Sequence, residues 1–301
     1  MIREARDADL VEITALRNEV MPYLVSSVEG TRAAVNAMPE WAKLRWLVAE
    51  VDGRLVGWAR AGLSLFTPEP GAADVGAAVL PEYRGRGIGS ALLVEGVAHV
   101  KQIGAVTARG RAFDEPGILR WAERHGFAAG AGHAAQISVV DPRAIPGAPA
   151  CPGHIRLVSF DEVDPRVVYD LEAATGPDIP AGVPLAPIPY EDWLGMTWGN
   201  PDLFRGGSVV ALDGDVPVAY TLTVADLSTG RSWTNMTGTL RSHRGLGLAK
   251  IVKVEALHRS ARAGITRAYT GNDATNAPML AVNDWLGYQR AATQVTVARK
   301  L

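Results

Sequence analysis

The sequence predicts two α+β domains in tandem, each a central mixed sheet flanked by helices. Three observations support this fold class. A set of motifs recurs at one spacing, strand and helix patterns follow the same order in both halves, and a proline-rich segment lies between them. The chain of 301 residues is long enough for two domains of about 150 residues each.

The internal repeat is visible in three pairs of motifs. Residues 51–57 and 212–218 both read as strand, tight Asp-Gly turn and strand, which is a hairpin signal because glycine accepts the positive φ that such turns require. Glycine-rich loops follow at 84–89 and 244–249, and Gly-aromatic pairs follow at Gly126-Phe127 and Gly287-Tyr288. All three pairs keep the same spacing to within one residue, so the two halves are predicted to be homologous domains.

The predicted domain boundaries are 1–141, a linker at 142–153, and 154–301. The boundary segment 141–153 holds four prolines and two glycines, which preclude a helix or a central strand. Each half then opens with a short strand, and a helix is expected to begin near Asp7 or Asp161, where a carboxylate can accept first-turn amides.

Composition excludes several classes of protein. A net charge of -2 gives no basic excess for nucleic acid or an anionic membrane, and no apolar run approaches the ~20 residues of a membrane span. The charged start at residues 1–7 argues against a signal peptide, and the single Cys151 suits a reducing compartment. The histidines lack metal-ligand spacing. We therefore expect a cytoplasmic monomer with an internal pseudo-dimer, no metal, and no nucleic-acid or membrane partner.

The unit of strand, glycine loop and helix carries the chemistry. In the first half Pro81 stops the strand, the glycines permit a tight turn, and a helix beginning near Ile88 presents unsatisfied amides to a phosphate or pyrophosphate. Arg84 and Arg86 add positive charge at that place. The spacing does not fit a P-loop, and the run of three glycines at 85–89 is one residue too short for a dinucleotide loop.

Both loops resemble the signature of the GNAT superfamily of N-acetyltransferases, Gln/Arg-x-x-Gly-x-Gly/Ala. The first loop matches it through Arg84-x-x-Gly87-x-Gly89 and the second through Arg244-x-x-Gly247-x-Ala249. Each match lies at a strand-to-helix turn and is followed by a helix and a Gly-Phe or Gly-Tyr pair. The resemblance covers nearly the whole chain, and tandem forms of the mycothiol synthase type have the most similar architecture.

This resemblance implies transfer of an acetyl or short acyl group from acetyl-CoA to a primary amine of a small molecule. Transfer to a hydroxyl, and a non-catalytic protein that binds or senses acyl-CoA, remain alternatives. In the family the loop amides hold the pyrophosphate, the strand before the loop bonds the thioester carbonyl, and an asparagine follows the pantetheine arm. The cofactor-binding residues implied here are Val79, Arg84, Gly85, Arg86, Gly87, Ile88, Gly89, Ser90, Thr239, Arg244, Gly245, Leu246, Gly247, Leu248, Ala249 and Asn276.

The sequence leaves the general acid and base open. Many family members have a tyrosine four residues before the last Gly-aromatic pair, where this chain has Ala122 and Asn283. Asp74, on the strand that enters the first loop, is the expected catalytic base; the matching stretch 232–237 has no acid. Either copy can therefore be the catalytic one. The proline-rich segment 176–190, with the tryptophans that follow it, is expected to line an acceptor pocket.

Overall fold

A computed structural model describes residues 1–180 and 187–301; of residues 131–133 only the backbone is described. Residues 181–186, in the middle of the predicted acceptor-pocket segment, lie outside the described residues. The chain forms two compact units. The first contains Met1–Ala134 and Thr293–Leu301, and the second contains Ala135–Ala292.

The first unit is built on a mixed sheet with one parallel pair. Its strands are β1 (Ile2–Glu4), β2 (Arg45–Val51), β3 (Arg54–Leu63), β4 (Ala72–Val79), β5 (Thr107–Phe113) and the part of β12 (Gln289–Lys300) from Thr293 onward. They are ordered β1-β2-β3-β4-β5-β12, and among the described strand pairs only β4 and β5 are parallel. Its helices are α1 (Leu10–Val20), α2 (Val28–Asn36), α3 (Ile88–Gln102) and α4 (Pro116–Arg124).

Local sequence explains the hairpin and the core of this unit. Asp52 and Gly53 both have positive φ, 49° and 78°, which is the turn that twisted antiparallel strands prefer. The apolar face of α3 is buried, and a β-carbon added at its Gly96 would lie 3.2 Å from the Val75 side chain. Val75 therefore faces α3, and since side chains alternate along a strand, Asp74 and Gly76 face the opposite side of the sheet.

The second unit repeats this plan. Its strands are β6 (Ala128–Val140) from Ala135 onward, β7 (Ile155–Ser159), β8 (Val209–Asp213), β9 (Val216–Asp226), β10 (Arg231–Thr239) and β11 (Arg267–Asp273), ordered β6-β11-β10-β9-β8-β7. Of the strand pairs that the structure describes in this unit, only β10 and β11 are parallel. Its helices are α5 (Pro165–Thr175), α6 (Tyr190–Trp193), α7 (Leu248–Arg262) and α8 (Ala277–Trp285).

The first helix of each half begins later than its predicted cap. Asp7 opens a short 3-10 turn, and α1 begins at Leu10. In the second half Asp161 also lies in a 3-10 turn, and Asp164 is the N-cap of α5, where its side chain accepts the Arg166 amide at 2.8 Å. In the second half, Pro165 at the first helical position explains the later start, because its fixed φ and missing N–H suit that position.

The compact units differ from the contiguous halves 1–141 and 154–301. The last strand of each half pairs in the other unit: β12 lies beside β5 from Gln294↔Phe113 to Lys300↔Thr107, and β6 lies beside β11 from Ala135↔Asp273 to Val140↔Ala268. Residues 141–153 contain neither helix nor strand. The repeat describes the order of elements along the chain, while each folded unit takes its last strand from the other repeat.

None of the helices in the described part of the chain is long and apolar enough to cross a membrane.

Candidate functional site

The parallel strands of the first unit separate beside the glycine loop. β4 pairs with β5 only from Ala72↔Thr107 to Asp74↔Arg109, although both strands continue beyond that point. Gly110 marks the last close approach, since a β-carbon there would lie 2.6 Å from the Val75 carbonyl oxygen. Beyond it, no described strand pairs with this edge of β4. Val79, predicted to contact the thioester, lies on the unpaired stretch.

In the second unit the strands separate in the same way. β10 pairs with β11 only from Arg231↔Arg267 to Thr234↔Thr270, and the register of β10 against β9 then shifts between Thr234 and Met236. Thr239, the predicted counterpart of Val79, ends this strand, and its hydroxyl is buried without a hydrogen-bond partner among the described residues.

The glycine loop of the first unit leaves helix amides open. Gly85 and Gly87 have φ of 76° and 80°, and a β-carbon on either would meet no atom within 4 Å, so the backbone conformation requires glycine there. Gly87 is the N-cap of α3 and has no side chain to satisfy first-turn amides. The first intrahelical bond runs from Ala91 N to Gly87 O at 3.0 Å. The amides of the first turn therefore have no intrahelical acceptor and suit an anion.

These first-turn amides belong to Ile88, Gly89 and Ser90, three of the predicted cofactor-binding residues. Gly89 tolerates a larger side chain, because an added β-carbon would lie at an ordinary 3.5 Å from Val79. The Ser90 hydroxyl accepts a hydrogen bond from Trp121 Nε1 at 3.0 Å, which ties α3 to α4.

The two arginines of the first loop are exposed and contribute to its shape. Arg84 Nε donates to the Val79 carbonyl oxygen at 3.1 Å, and Arg86 Nη2 donates to the Glu82 carbonyl oxygen at 3.2 Å. Arg86 also lies 5.0 Å from the centre of the Tyr83 ring. Each guanidinium retains further N–H donors, so both can also contact a phosphate.

The second loop has the same backbone. Gly245 and Gly247 have φ of 82° and 76°, and the first bond of α7 runs from Ile251 N to Gly247 O at 3.1 Å. Leu248, the first residue of α7, is buried, and Ala249 occupies the position of Gly89. The predicted residue Leu246 is exposed at the tip of the loop.

A carboxylate already binds the arginines of the second loop. Arg244 Nη2 donates to Asp178 Oδ2 at 2.6 Å, and Arg241 Nε donates to the same oxygen at 2.8 Å. These hydrogen bonds, from Arg241 and then Arg244, hold the pKa of Asp178 far below its usual range, so the carboxylate is charged. Arg244 Nε also donates to the Thr239 carbonyl oxygen at 3.2 Å, as Arg84 does in the first unit. In the described residues of the first unit no carboxylate pairs with Arg84.

Asp74 lies where the strands begin to separate. It is half-buried, in register with Gly62 on β3 and with Arg109 on β5. Arg109 forms an ion pair with Glu69, and the described residues include no ion pair to Asp74. The Asp74 carboxylate is therefore not neutralised by its neighbour on β5. Its role as a base remains a prediction.

The two positions that lack the family tyrosine differ from each other. Ala122 is buried in the apolar core of the first unit. Asn283 is also buried, but its Oδ1 accepts a hydrogen bond from Lys253 Nζ and its Nδ2 donates to Asn272 Oδ1 at 2.6 Å. Burial lowers the pKa of Lys253 to about 7. Leu93 takes the place of Lys253 in the first repeat, so this polar cluster is specific to the second.

Asn276 and Trp193, both considered as ligand contacts, have structural roles in the fold. Asn276 is the N-cap of α8, and its side chain accepts the Met279 amide at 3.3 Å. Its contact with pantetheine remains a prediction. Trp193, considered for an acceptor pocket, is 2% exposed; it donates to Glu172 Oε2 at 3.2 Å and lies 6.0 Å from the Trp198 ring. Trp193 is therefore a packing residue.

The described residues include no group of three or more His, Cys, Asp or Glu side chains arranged to hold a metal ion.

A mixed sheet that opens beside a glycine-capped helix N-terminus is the arrangement that the resemblance to GNAT acetyltransferases implies. Comparison with known proteins supports this resemblance. Residues 13–127 match the acetyltransferase (GNAT) family model, so the first half of the chain is a GNAT acetyltransferase domain and the protein is an acyltransferase. No curated protein matches the chain in sequence.

Solved structures extend the fold assignment to the whole chain. A tandem GNAT protein from the clavulanic acid biosynthesis pathway is similar over 100% of this chain and 98% of its own, with 20% identity and a TM-score of 0.75. A GCN5-related N-acetyltransferase from Sphaerobacter thermophilus is similar over 100% and 95%, with 21% identity and a TM-score of 0.73. The predicted fold class, two tandem GNAT domains, is confirmed.

Proposed function

We propose that the first unit transfers an acetyl or other short acyl group from acyl-CoA to the primary amine of a small molecule. The observation that carries this proposal is the asymmetry of the two loops. Both present open helix amides, but Asp178 binds the arginines of the second loop, while Arg84 has no such carboxylate among the described residues. The first unit also has Asp74 at the opening between its parallel strands.

The first unit's residues suggest how transfer proceeds. The amides of Ile88, Gly89 and Ser90 hold the pyrophosphate, and the unpaired edge of β4 orients the acyl arm. The amine nitrogen bonds to the thioester carbonyl carbon, and the carbon–sulfur bond breaks. Asp74 accepts the proton that the amine loses. The sulfur leaves as thiolate and takes a proton from water, because Ala122 offers none. Holding both reactants in place can supply about 7–11 kcal/mol of the barrier.

The chain's modest charge and single cysteine support our further proposal of a cytoplasmic monomer that binds no nucleic acid.

The test is release of free CoA from acetyl-CoA in the presence of a panel of primary amines and a panel of alcohols, with mass spectrometry of the acylated product. We expect Asp74→Asn to lower kcat/KM by about 10²–10⁴-fold, the usual contribution of a general base, with unchanged affinity for acetyl-CoA. Glu95→Gln, an exposed carboxylate change on α3, is the matched control and should have no effect. Binding of acetyl-CoA without release by any amine would favour a sensor, and turnover only with alcohols would favour transfer to a hydroxyl.

A further inference from the structure

The face of the first unit's sheet that carries Asp74 is uncovered where the strands separate. We call this uncovered surface, around Gly76, the floor. Gly76 is the next residue of β4 on this face, and a β-carbon added there would meet no atom within 4 Å. The opposite face is different, because the Val75 side chain packs against α3. An acyl group that passes between β4 and β5 from the glycine loop therefore has free space over Gly76. The acceptor must meet the acyl group there.

Two arginines flank this floor. Arg60 on β3 is in register with Gly76, so their side-chain directions lie on the same face. Arg111 on β5 is two residues beyond Arg109, the partner of Asp74, and it points to that face too. Paired strands lie about 4.8 Å apart, and β5 diverges from β4 beyond Asp74, so the two arginines start at least ~10 Å apart on either side of Gly76, from where their long side chains can converge on one small anion.

Neither arginine is neutralised by a carboxylate of the described residues. Both are exposed, and no described carboxylate forms an ion pair with Arg60 or Arg111. Burial raises the pKa of Tyr23 to about 12, and the charge of Arg111 acts in the opposite direction, so Arg111 lies near the Tyr23 phenol. Tyr23 packs edge-on against Phe113, the next residue of β5 on this face, at 6.2 Å.

An aromatic wall with a further positive charge adjoins Arg60. Trp46 pairs with Arg60 across β2 and β3, and its ring lies 5.3 Å from the ring of Trp58. The Arg17 guanidinium lies 5.4 Å from the Trp58 ring and 5.8 Å from the Trp46 ring. Arg60 and Arg111 thus flank the floor without an ion pair to any described carboxylate, and Asp74 is the acid on β4 at this face. A simple alkylamine, which is a cation at neutral pH, would be repelled by this excess of positive charge.

We infer that the acceptor of the first unit is an amine that also carries an anionic group, a carboxylate or a phosphate monoester, bound by Arg60 and Arg111 on either side of Gly76 while its nitrogen faces Asp74. This inference rests on the proposed function for the site of acyl transfer. Guanidinium forks match the geometry of both oxyanions and give strong charge-assisted hydrogen bonds. Trp46, which is only partly buried, then lies beside the carbon chain between the amine and the anion, and the buried Trp58 supports its ring.

The experiment compares amines that differ only in the anion: β-alanine with β-alaninamide, and phosphoethanolamine with ethanolamine. Binding is followed by tryptophan fluorescence, because Trp46 and Trp58 adjoin the site, and turnover by CoA release. We expect the anionic member of at least one pair to bind and react at least tenfold better. Arg60→Gln and Arg111→Gln should each lower that preference by about tenfold or more. Binding and turnover of the neutral member should change by less than about twofold. Arg120→Gln, an exposed arginine change on α4, is the control.

The two readouts separate this inference from the function on which it rests. Selective binding of the anionic probes without CoA release from any amine would overturn the proposed transfer and keep the anion site. Turnover of neutral and anionic amines alike, or equal losses in Arg60→Gln, Arg111→Gln and Arg120→Gln, would overturn the anion site and keep the transfer. If neither member of a pair binds, the site does not take that anion. If no member of either pair binds, the anion site is overturned.

Discussion

Lys253 shows how one residue can make stability depend on pH. The residue is 1% exposed, its Nζ lies beside Asn283, and burial lowers the pKa of Lys253 from 10.5 to about 7. Between these two pKa values the unfolded chain holds a proton that the folded chain lacks. Stability therefore rises with pH across this window, by at most about 1.4 kcal/mol per pH unit, and this contribution is constant below the folded-state pKa.

Lys253→Met should remove this dependence. In urea unfolding at several pH values from about 7 to 9.5, the stability of the wild type should rise relative to that of the variant as the pH increases. The unsatisfied Asn283 oxygen adds a constant cost of about 1–3 kcal/mol to the variant. Lys101→Met, an exposed change on α3, should keep the wild-type slope. Parallel pH curves for the wild type and Lys253→Met would show that Lys253 stays charged in the folded protein.

At the scale of single elements, the start of α3 depends on the backbone conformation of Gly87. Gly87→Ala should cost about 1–2 kcal/mol of stability, because an alanine at φ of 80° is strained, and should weaken acetyl-CoA binding by about tenfold. Gly89→Ala should be nearly neutral, since its β-carbon makes ordinary contacts and the second repeat already has Ala249. Urea unfolding and calorimetry with acetyl-CoA measure both effects.

The matched control for the glycine variants is Gly247→Ala, which introduces the same strain at the start of α7. It should cost similar stability but leave the affinity for acetyl-CoA unchanged if the first unit binds the cosubstrate. Loss of affinity in Gly247→Ala alone would instead identify the second unit as the binding site.

The ion pairs of Asp178 make a separate prediction about the second loop. Asp178→Asn removes the charge that binds Arg241 and Arg244, so both become available to a pyrophosphate. Calorimetry should then detect a second equivalent of acetyl-CoA, where the wild type binds one. Asp170→Asn, which removes an exposed i,i+4 partner of Arg166 on α5, should keep a single equivalent. Binding of two equivalents by the wild type would show that the pyrophosphate readily displaces Asp178 from these arginines.

At the scale of the whole molecule, each compact unit depends on a strand from the other repeat. A fragment 1–141 lacks β12, so the edge of β5 from Thr107 to Phe113 loses its antiparallel partner. We expect this fragment to be aggregation-prone and to unfold at a lower urea concentration than the full chain. Adding residues 289–301 as a peptide should raise the midpoint, and a scrambled peptide should not. A fragment 1–141 as stable as the first unit in the full chain would contradict this prediction.

Features encoded within a few neighbouring residues were predictable from the sequence. The Asp52-Gly53 turn, the two glycine loops and the helices that follow them depend on local φ preferences and on apolar periodicity. The family resemblance of those loops followed from the same residues, and the comparisons confirm it for the GNAT fold. The mycothiol synthase-like arrangement remains a prediction.

Long-range pairing was decided only by the tertiary structure. Because the repeats are homologous, the last strand of either half has the pattern that either sheet edge requires, so local sequence does not determine which sheet it joins. Likewise Asp178 lies 66 residues from Arg244, and Arg60 and Arg111 lie on strands separated by β4. Such partners become neighbours only when strand order and register are set, which is why the sequence determined the class of the protein and the folded sheet determined the charges around its site.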